Sequence, residues 1–179
     1  MPENLCIKSA PENGREVVRV TSDANRILAL LTRSARELAE VLGRIPPEHL
    51  QAAPEPGEWS VHQTLHHLWV VEARIYLPRV RRVVQEERPF LEVVDERAMQ
   101  REWLAARPLA EMLEGFLEAR QAEMLLLRGA DWTRVGQHET QGPIALTWIA
   151  KNALAHTWEH TAQLMHAALT AELQPATPA

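Results

Sequence analysis

The chain has 179 residues, of which 46% are hydrophobic and 24% are charged, and this composition predicts a single globular domain. Its net charge of −5 lacks the basic footprint that nucleic-acid binders present, so no nucleic-acid partner is expected. One cysteine, Cys6, excludes a disulfide within the chain, and the lack of a secretory signal or a membrane-length apolar run predicts a cytoplasmic protein with no membrane partner.

Hydrophobic periodicity predicts four long helices and no convincing strand, which indicates an all-α fold. Helix 1 is expected over residues 21–42, with Ser22 as its N-terminal cap. Helix 2 is expected to begin at Ser60, where SVHQ has the pattern of a capping box, and to continue to about Val84. Because Pro78 lies inside this pattern, it should kink or split the second helix.

The second half of the chain contains the other two predicted helices. Helix 3 opens at Pro108 and ends before Gly129, helix 4 opens at Pro143 and runs to about residue 172, and a short helix is expected near residues 95–103. These lengths fit one antiparallel four-helix bundle with long connections between helices 1 and 2 and between helices 2 and 3. The predicted organisation is a flexible tail over 1–18, a bundle domain over 19–173 and a tail over 174–179.

Helix 4 carries His156 and His160 one turn apart, on or beside the face that its apolar residues mark for burial. This spacing brings two imidazoles to one point, as in helical zinc motifs, but buried histidines are also satisfied by carboxylates or carbonyls. The spacing alone leaves both interpretations open, and a third ligand from another helix would decide between them. The segment HTWEH also fits an inverted zinc-protease pattern, which is rejected because little chain remains for its further carboxylate ligand.

Helix 2 offers three candidates for that third ligand. His67 lies on the flank of the apolar stripe, from which a side chain can reach a groove between helices. His62 and His66 lie away from the stripe and are expected to face solvent. Glu72 is in the middle of the stripe, where a carboxylate is costly unless it is paired. It should either support a ligand histidine or form an ion pair with an arginine of a neighbouring helix.

Two segments, GEWSVHQTLHHLWVVE and HETQGPIALTWIAKNALAHTWEHTAQL, carry a resemblance to a known family. They resemble the second-helix and C-terminal signatures of the DinB/YfiT-like four-helix bundles, and the resemblance extends over about residues 21–169. It implies a divalent metal, with zinc or nickel expected, held by one histidine of helix 2 and two of helix 4. Matched residue by residue, these ligands are His67, His156 and His160.

The resemblance implies a metal-dependent enzyme of the thiol S-transferase or hydrolase type, acting on a small-molecule substrate. In some relatives a low-molecular-weight thiol is the co-substrate. Three neutral histidines would leave an open position for water or a thiolate. Glu159 is expected either to act as a base or to face solvent. Gln163 and His138 are candidates for the surroundings of the site, although a loop histidine such as His138 more often faces solvent.

The competing interpretation is a non-catalytic, stress-related bundle with a structural or vestigial metal site, which acts by dimerisation or binding. Relatives commonly dimerise, so a homodimer is expected. Trp69, Trp148 and Trp158 lie off the core stripes and would suit an interface or a pocket rim, whereas Trp59 and Trp132 should pack at helix ends. A structural site should have closed coordination, and an enzyme should have an open position that faces a pocket.

Overall fold

Four helical segments form the body of the protein, and the computed structural model describes residues 12–173. In chain order the elements are α1 (Glu12–Leu42), a 3-10 turn (Pro47–His49), α2 (Val61–Val71), a π-helical turn (Glu72–Tyr76), α3 (Leu77–Gln85), β1 (Phe90–Leu91), α4 (Glu96–Gln100), α5 (Leu109–Arg128), β2 (Val135–His138), β3 (Gly142–Ala145) and α6 (Leu146–Leu173). Helix α1 packs along α6, α5 packs on α1 and on the α2–α3 segment, and α2 also contacts α6. The predicted four-helix bundle is confirmed.

The second segment of the bundle begins with the predicted capping box. The Ser60 hydroxyl accepts a hydrogen bond from the backbone N–H of Gln63 at 3.2 Å, and the Gln63 side chain accepts one from the Ser60 N–H at 2.9 Å. The predicted interruption is also present, as a π-helical turn that precedes Pro78. A proline ring conflicts with the carbonyl four residues earlier, and here that residue is Arg74, inside the π-helical turn.

Helix α1 begins at Glu12, well before the predicted start at Thr21. Ser22 therefore lies inside the helix, and its predicted role as an N-terminal cap is wrong. The predicted N-terminal tail is helical from residue 12 onward, and the rest of it, including Cys6, lies outside the described residues.

The periodicity did not predict a small three-stranded sheet, to which the connection between α3 and α4 contributes β1 and the connection between α5 and α6 contributes β2 and β3. Strand β2 pairs in parallel with β1 and antiparallel with β3, and Pro143 lies in β3, so α6 begins at Leu146 rather than at Pro143. With two to four residues each, these strands are too short for alternation to be visible. Gly136 permits their close packing, because a Cβ there would lie 2.8 Å from Leu91 Cδ1 and 2.9 Å from Val83 Cγ2.

The connection between the second and third segments packs on α2. It contains α4, whose N-terminus is capped by Asp95 through a 3.0 Å hydrogen bond from the Ala98 N–H. The Gln100 side chain donates to the Gln63 carbonyl at 3.2 Å, and the Trp103 indole donates to Nδ1 of His62 at 2.8 Å. This connection therefore covers a face of α2 that the helical wheel alone assigns to solvent.

In the interior of the bundle, a polar layer lies between two of the apolar clusters that the described residues form. One cluster centres on Leu31 and Ile149, and the other on Leu38 and Phe116. The fully or nearly fully buried polar side chains of the layer come from α1, the π-helical turn, α5 and α6: Ser34, Glu72, Arg120, Glu123 and Thr157. Burial of charged groups is costly unless they are paired, so this layer needs internal partners.

None of the helices in the described part of the chain combines the length and the apolar character that crossing a membrane requires.

Candidate metal centre

The structure brings together the three histidines that the sequence singled out. His67 comes from α2, and the other two come from α6. Because His156 and His160 are four residues apart, they lie on the same face of α6. One ligand atom from each lies within 4.8 Å of the others, and the Nε2 atoms of His67 and His156 are 3.0 Å apart. Nitrogens bound to one ion at about 2.0–2.1 Å lie about 3–3.5 Å apart, so this pair has a ligand-like separation.

The environment keeps two of these imidazoles, those of His67 and His156, neutral at neutral pH. Burial, and then the neighbouring histidines, lower the pKa of His67 from its usual 6.5 to about 4. Burial, and then the charges of His160, His67 and Arg120, lower the pKa of His156 to about 3. A neutral imidazole has a lone pair available for a metal, whereas an imidazolium has none.

The outer nitrogen of His160 is held by Gln163, whose amide oxygen accepts a hydrogen bond from Nδ1 at 2.8 Å. Because Nδ1 is occupied by this hydrogen bond, Nε2 is the ring nitrogen of His160 that is left to bind an ion. Such a partner for the non-ligating nitrogen is the usual arrangement for a metal-binding histidine. Nδ1 of His67 is buried without a hydrogen-bond partner among the described residues. The donor set of three converging imidazoles fits a divalent zinc-like or nickel-like ion.

Two aromatic rings enclose the histidines. Trp59 is stacked on His160 with ring centroids 6.2 Å apart and is tilted against His67 at 4.9 Å, and Tyr76 lies 5.7 Å from His156. Trp59, expected to be a packing residue at a helix end, instead covers the site and is 39% exposed. Sequence reasoning missed Tyr76, because it lies in the π-helical turn, where the α-helical register no longer applies.

Sequence reasoning also missed a carboxylate at the site, Glu96. Its Oε2 atom is 3.8 Å from Nε2 of His67, and its side chain is 51% exposed. Glu96 belongs to α4, in the connection between the second and third bundle segments. No local pattern relates this residue to helix 2, and the path of the connection is set by tertiary contacts.

Glu72 has one of its two predicted roles, the ion pair with an arginine of another helix. Arg120 of α5 donates to both of its oxygens, at 2.6 and 2.9 Å, and also donates to Ser34 Oγ at 3.2 Å and Thr157 Oγ1 at 2.8 Å. A second buried carboxylate, Glu123, lies 3.3 Å from the same guanidinium. Burial, and then the adjacent Glu72 carboxylate, raise the pKa of Glu123 well above its usual value of 4.5.

The expectation that His62 and His66 face solvent is wrong, because each is only 2% exposed. The connection around α4 covers them. Nε2 of His62 lies 2.7 Å from the Arg107 carbonyl, and its Nδ1 accepts from Trp103. Nδ1 of His66 lies 3.4 Å from Oε1 of Gln100.

The remaining two predicted residues, Glu159 and His138, do not belong to the group of converging ligand atoms. Glu159 is exposed and makes no hydrogen bond or ion pair within the described part of the chain. His138 is 4% exposed and belongs to β2, so its predicted loop position is wrong. Its Nε2 atom accepts from the Arg79 guanidinium at 3.2 Å, which ties the sheet to α3.

Comparisons with known proteins place the chain in a family. A sequence model of the DinB superfamily matches residues 30–164. The chain is similar to YfiT from Bacillus subtilis, which is described as a probable metal-dependent hydrolase with an unusual four-helix bundle topology. The two sequences are 19% identical, the TM-score is 0.73, and the match covers 96% of this chain and 95% of YfiT. It is also similar to TT2238, a four-helix bundle protein, with 20% identity, a TM-score of 0.57 and coverage of 80% of this chain and 98% of TT2238. No curated protein matches. Since the family match covers most of the chain, this protein belongs to the DinB superfamily.

Proposed function

We propose that this protein is a divalent-metal-dependent hydrolase whose ion is held by His67, His156 and His160. The observation that carries the proposal is the convergence of these three imidazoles between α2 and α6, where the pKa values of His67 and His156 are lowered to about 4 and 3. When bound, a Zn²⁺ or Ni²⁺ ion would supply Lewis acidity and lower the pKa of a coordinated water or thiol. The description of YfiT, which shares the fold, as a probable metal-dependent hydrolase supports the same function here.

Glu96 is the residue that we assign to accept a proton from the attacking water. Its carboxylate lies beside His67, on the side where a cavity of about 460 Å³ meets the cluster. A base is needed more for water than for a thiol, because a thiol loses its proton far more readily. Glu96 therefore favours hydrolysis over thiol transfer, the other activity that the family resemblance implies. Glu159 is exposed and forms no hydrogen bond or ion pair with any described residue, and we do not assign it this role.

An open site distinguishes this proposal from a non-catalytic bundle with a structural metal. Structural zinc sites usually take four ligands from the protein, and catalytic sites take three and leave one position open. In the described part of the chain the cluster contains three histidines, and His67 lines a cavity. Gln163 orients His160 and Trp59 covers the site from one side, so the chain supplies both positioning and partial exclusion of solvent.

The test is the metal content of protein purified without a histidine tag. Wild type should contain about one divalent ion per chain, and His160→Ala should retain less than about a tenth of that. His166→Ala is the matched control, because His166 is an exposed histidine on the same helix and should leave the content unchanged. Equal, substoichiometric metal in wild type and His160→Ala would contradict the proposal.

The assignment of the base is tested by exchanging each candidate glutamate for its isostere. Glu96→Gln should lower the zinc-dependent hydrolysis of a p-nitrophenyl ester by about 100-fold without changing the metal content. Glu159→Gln should hydrolyse the ester at nearly the wild-type rate. A loss of activity in Glu159→Gln, with full activity in Glu96→Gln, would reverse the assignment.

A further inference from the structure

Among the described residues, Trp59 lines two cavities, and only one of them is also lined by a histidine of the cluster. The larger, of about 570 Å³, has a mainly apolar lining and extends between Trp59 and the C-terminal part of α6. The smaller, of about 460 Å³, is lined by Trp59, His67, Glu96, Arg97, Gln100 and Arg101. A molecule that reacts at the histidines would contact them through the smaller cavity, whose opposite wall is formed by α4.

The α4 wall is held in a fixed position relative to α2. The Gln100 side chain donates a hydrogen bond to the Gln63 carbonyl at 3.2 Å, one helical turn before His67. Asp95 caps the start of α4, and Trp103 anchors the residues that follow it by donating to His62. These bonds pre-organise the side chains of α4 before any ligand binds, which lowers the ordering cost of binding.

One positive charge on the α4 wall has no negative partner among the described residues. Arg101 is paired with Asp95 at 3.6 Å, and Glu96 lies beside His67. Arg97, one helical turn before Arg101, forms no ion pair with any described residue. Arg97 is therefore a cation on the cavity wall whose charge no described carboxylate neutralises.

We propose that the substrate carries an oxyanion, a carboxylate or a phosphate-type group, that Arg97 binds while the reacting bond lies at the three histidines. This inference rests on the proposed function and adds the substrate class to it. A guanidinium presents parallel N–H donors that match a carboxylate or a phosphate, and such charge-assisted pairs are stronger than neutral hydrogen bonds.

The overall charge makes a local cation more significant. With a net charge of −5, the protein as a whole does not attract anions, so selection of an anionic substrate needs a positive group at the site itself. If Arg97 were only a solvated surface charge, its removal would not change the preference of the site between charged and neutral ligands.

The experiment uses the Co²⁺-loaded full chain and a matched set of hydroxamates that bind metals. Acetohydroxamate has the metal-binding group alone, succinic acid monohydroxamate adds a remote carboxylate, and 3-phosphonopropanohydroxamate adds a phosphonate. Affinities are read from the visible d–d bands of Co²⁺ rather than from activity. At least one anionic probe should bind wild type about five- to tenfold more tightly than acetohydroxamate. The anionic probe that binds more tightly shows whether the site prefers a carboxylate or a phosphate-type group.

The variant Arg97→Gln should bind all three probes with similar affinity. Arg81→Gln is the control, because it makes the same charge change at an exposed position of α3 that does not line the cavity, and it should keep the wild-type preference. Two results would overturn this inference alone, provided that the Co²⁺ spectrum is normal. In one, wild type shows no preference for the anionic probes, and in the other, Arg97→Gln keeps the wild-type preference. The absence of a Co²⁺ spectrum that depends on His160 would overturn the proposed function and the inference with it.

Discussion

Arg120 donates two hydrogen bonds to the carboxylate of Glu72, at 2.6 and 2.9 Å, at the centre of the bundle where each side chain is at most 2% exposed. Through Ser34 and Thr157 the same guanidinium also joins α1 and α6. One side chain therefore connects all four helical segments of the bundle, and Thr157 is the residue next to His156. The candidate metal centre is thus built beside the polar layer that fixes the relative positions of α2 and α6.

Replacement of Arg120 by leucine should lower the free energy of unfolding by about 3–5 kcal/mol, because it leaves Glu72 buried without its cation. Arg33→Leu is the control, since Arg33 is 61% exposed in its ion pair with Glu37 and should cost less than about 1 kcal/mol. Urea denaturation measures the free energy of unfolding of both variants. Equal losses in the two variants would show that the buried pair has no special role in stability.

Glu123 makes stability depend on pH in a direction opposite to that of an ordinary ion-paired carboxylate. Its pKa in the folded state is raised above 4.5, so the folded protein holds a proton that the unfolded chain releases. The contribution of protonated Glu123 to the free energy of unfolding is fully present below pH 4.5. It is lost as the pH rises through the pKa that Glu123 has in the folded state. Glu123→Gln, which is neutral at every pH, should therefore be more stable than wild type at pH 8 and lose this advantage toward pH 4.5.

The measurement is the free energy of unfolding of both proteins across this pH range. Glu118→Gln is the matched control, because Glu118 is exposed on the same helix and should change the pH profile little. A Glu123→Gln protein that is less stable than wild type at pH 8, by the same amount as at pH 4.5, would contradict the assignment of a proton to Glu123.

The metal-free protein should also become less stable as the pH falls from about 6.5 toward 4. The folded state keeps His67 and His156 neutral down to about pH 4 and 3, whereas the unfolded chain protonates them near pH 6.5. The unfolded state therefore binds more protons in this window, and its population rises. Chelator-treated wild type and His156→Gln are compared by denaturation at pH 7 and pH 5, and the variant should lose less stability. Identical losses would contradict the neutral state of His156.

Several features of the fold and the site were predictable because their signals are local. The capping box at Ser60 and Gln63 involves neighbouring residues, and the i, i+4 spacing of His156 and His160 defines a face of one helix. The placement of His67 on the flank of its apolar stripe predicted its position between helices in the same way. The observed cluster agrees with those positions.

The features that were missed depend on contacts between distant parts of the chain. Glu96 reaches His67 only because the connection around α4 folds back over α2, and the same connection buries His62 and His66. The π-helical turn changes the register on which a helical wheel would place Tyr76. The pairing of Glu72 with Arg120 joins two helices, and no spacing within either helix predicts it.

Trp59 should report metal binding through its fluorescence, since its ring is stacked on His160. An open-shell ion such as Co²⁺ quenches an indole at short range, so titration should decrease the fluorescence of wild type and should affect Trp59→Phe much less. Trp158→Phe is the control, because Trp158 lies on the exposed side of α6, where it donates to Glu37. Quenching that survives in Trp59→Phe and is lost in Trp158→Phe would place the ion elsewhere.

The most direct test of the three-histidine site is an anomalous difference map from a crystal of the Zn²⁺-loaded protein, with data collected on both sides of the zinc edge. We predict one strong peak per chain, about 2.0–2.1 Å from a ring nitrogen of each of His67, His156 and His160. A map without a peak between these rings, or with zinc bound only at other residues, would contradict the assignment of a metal centre to this protein.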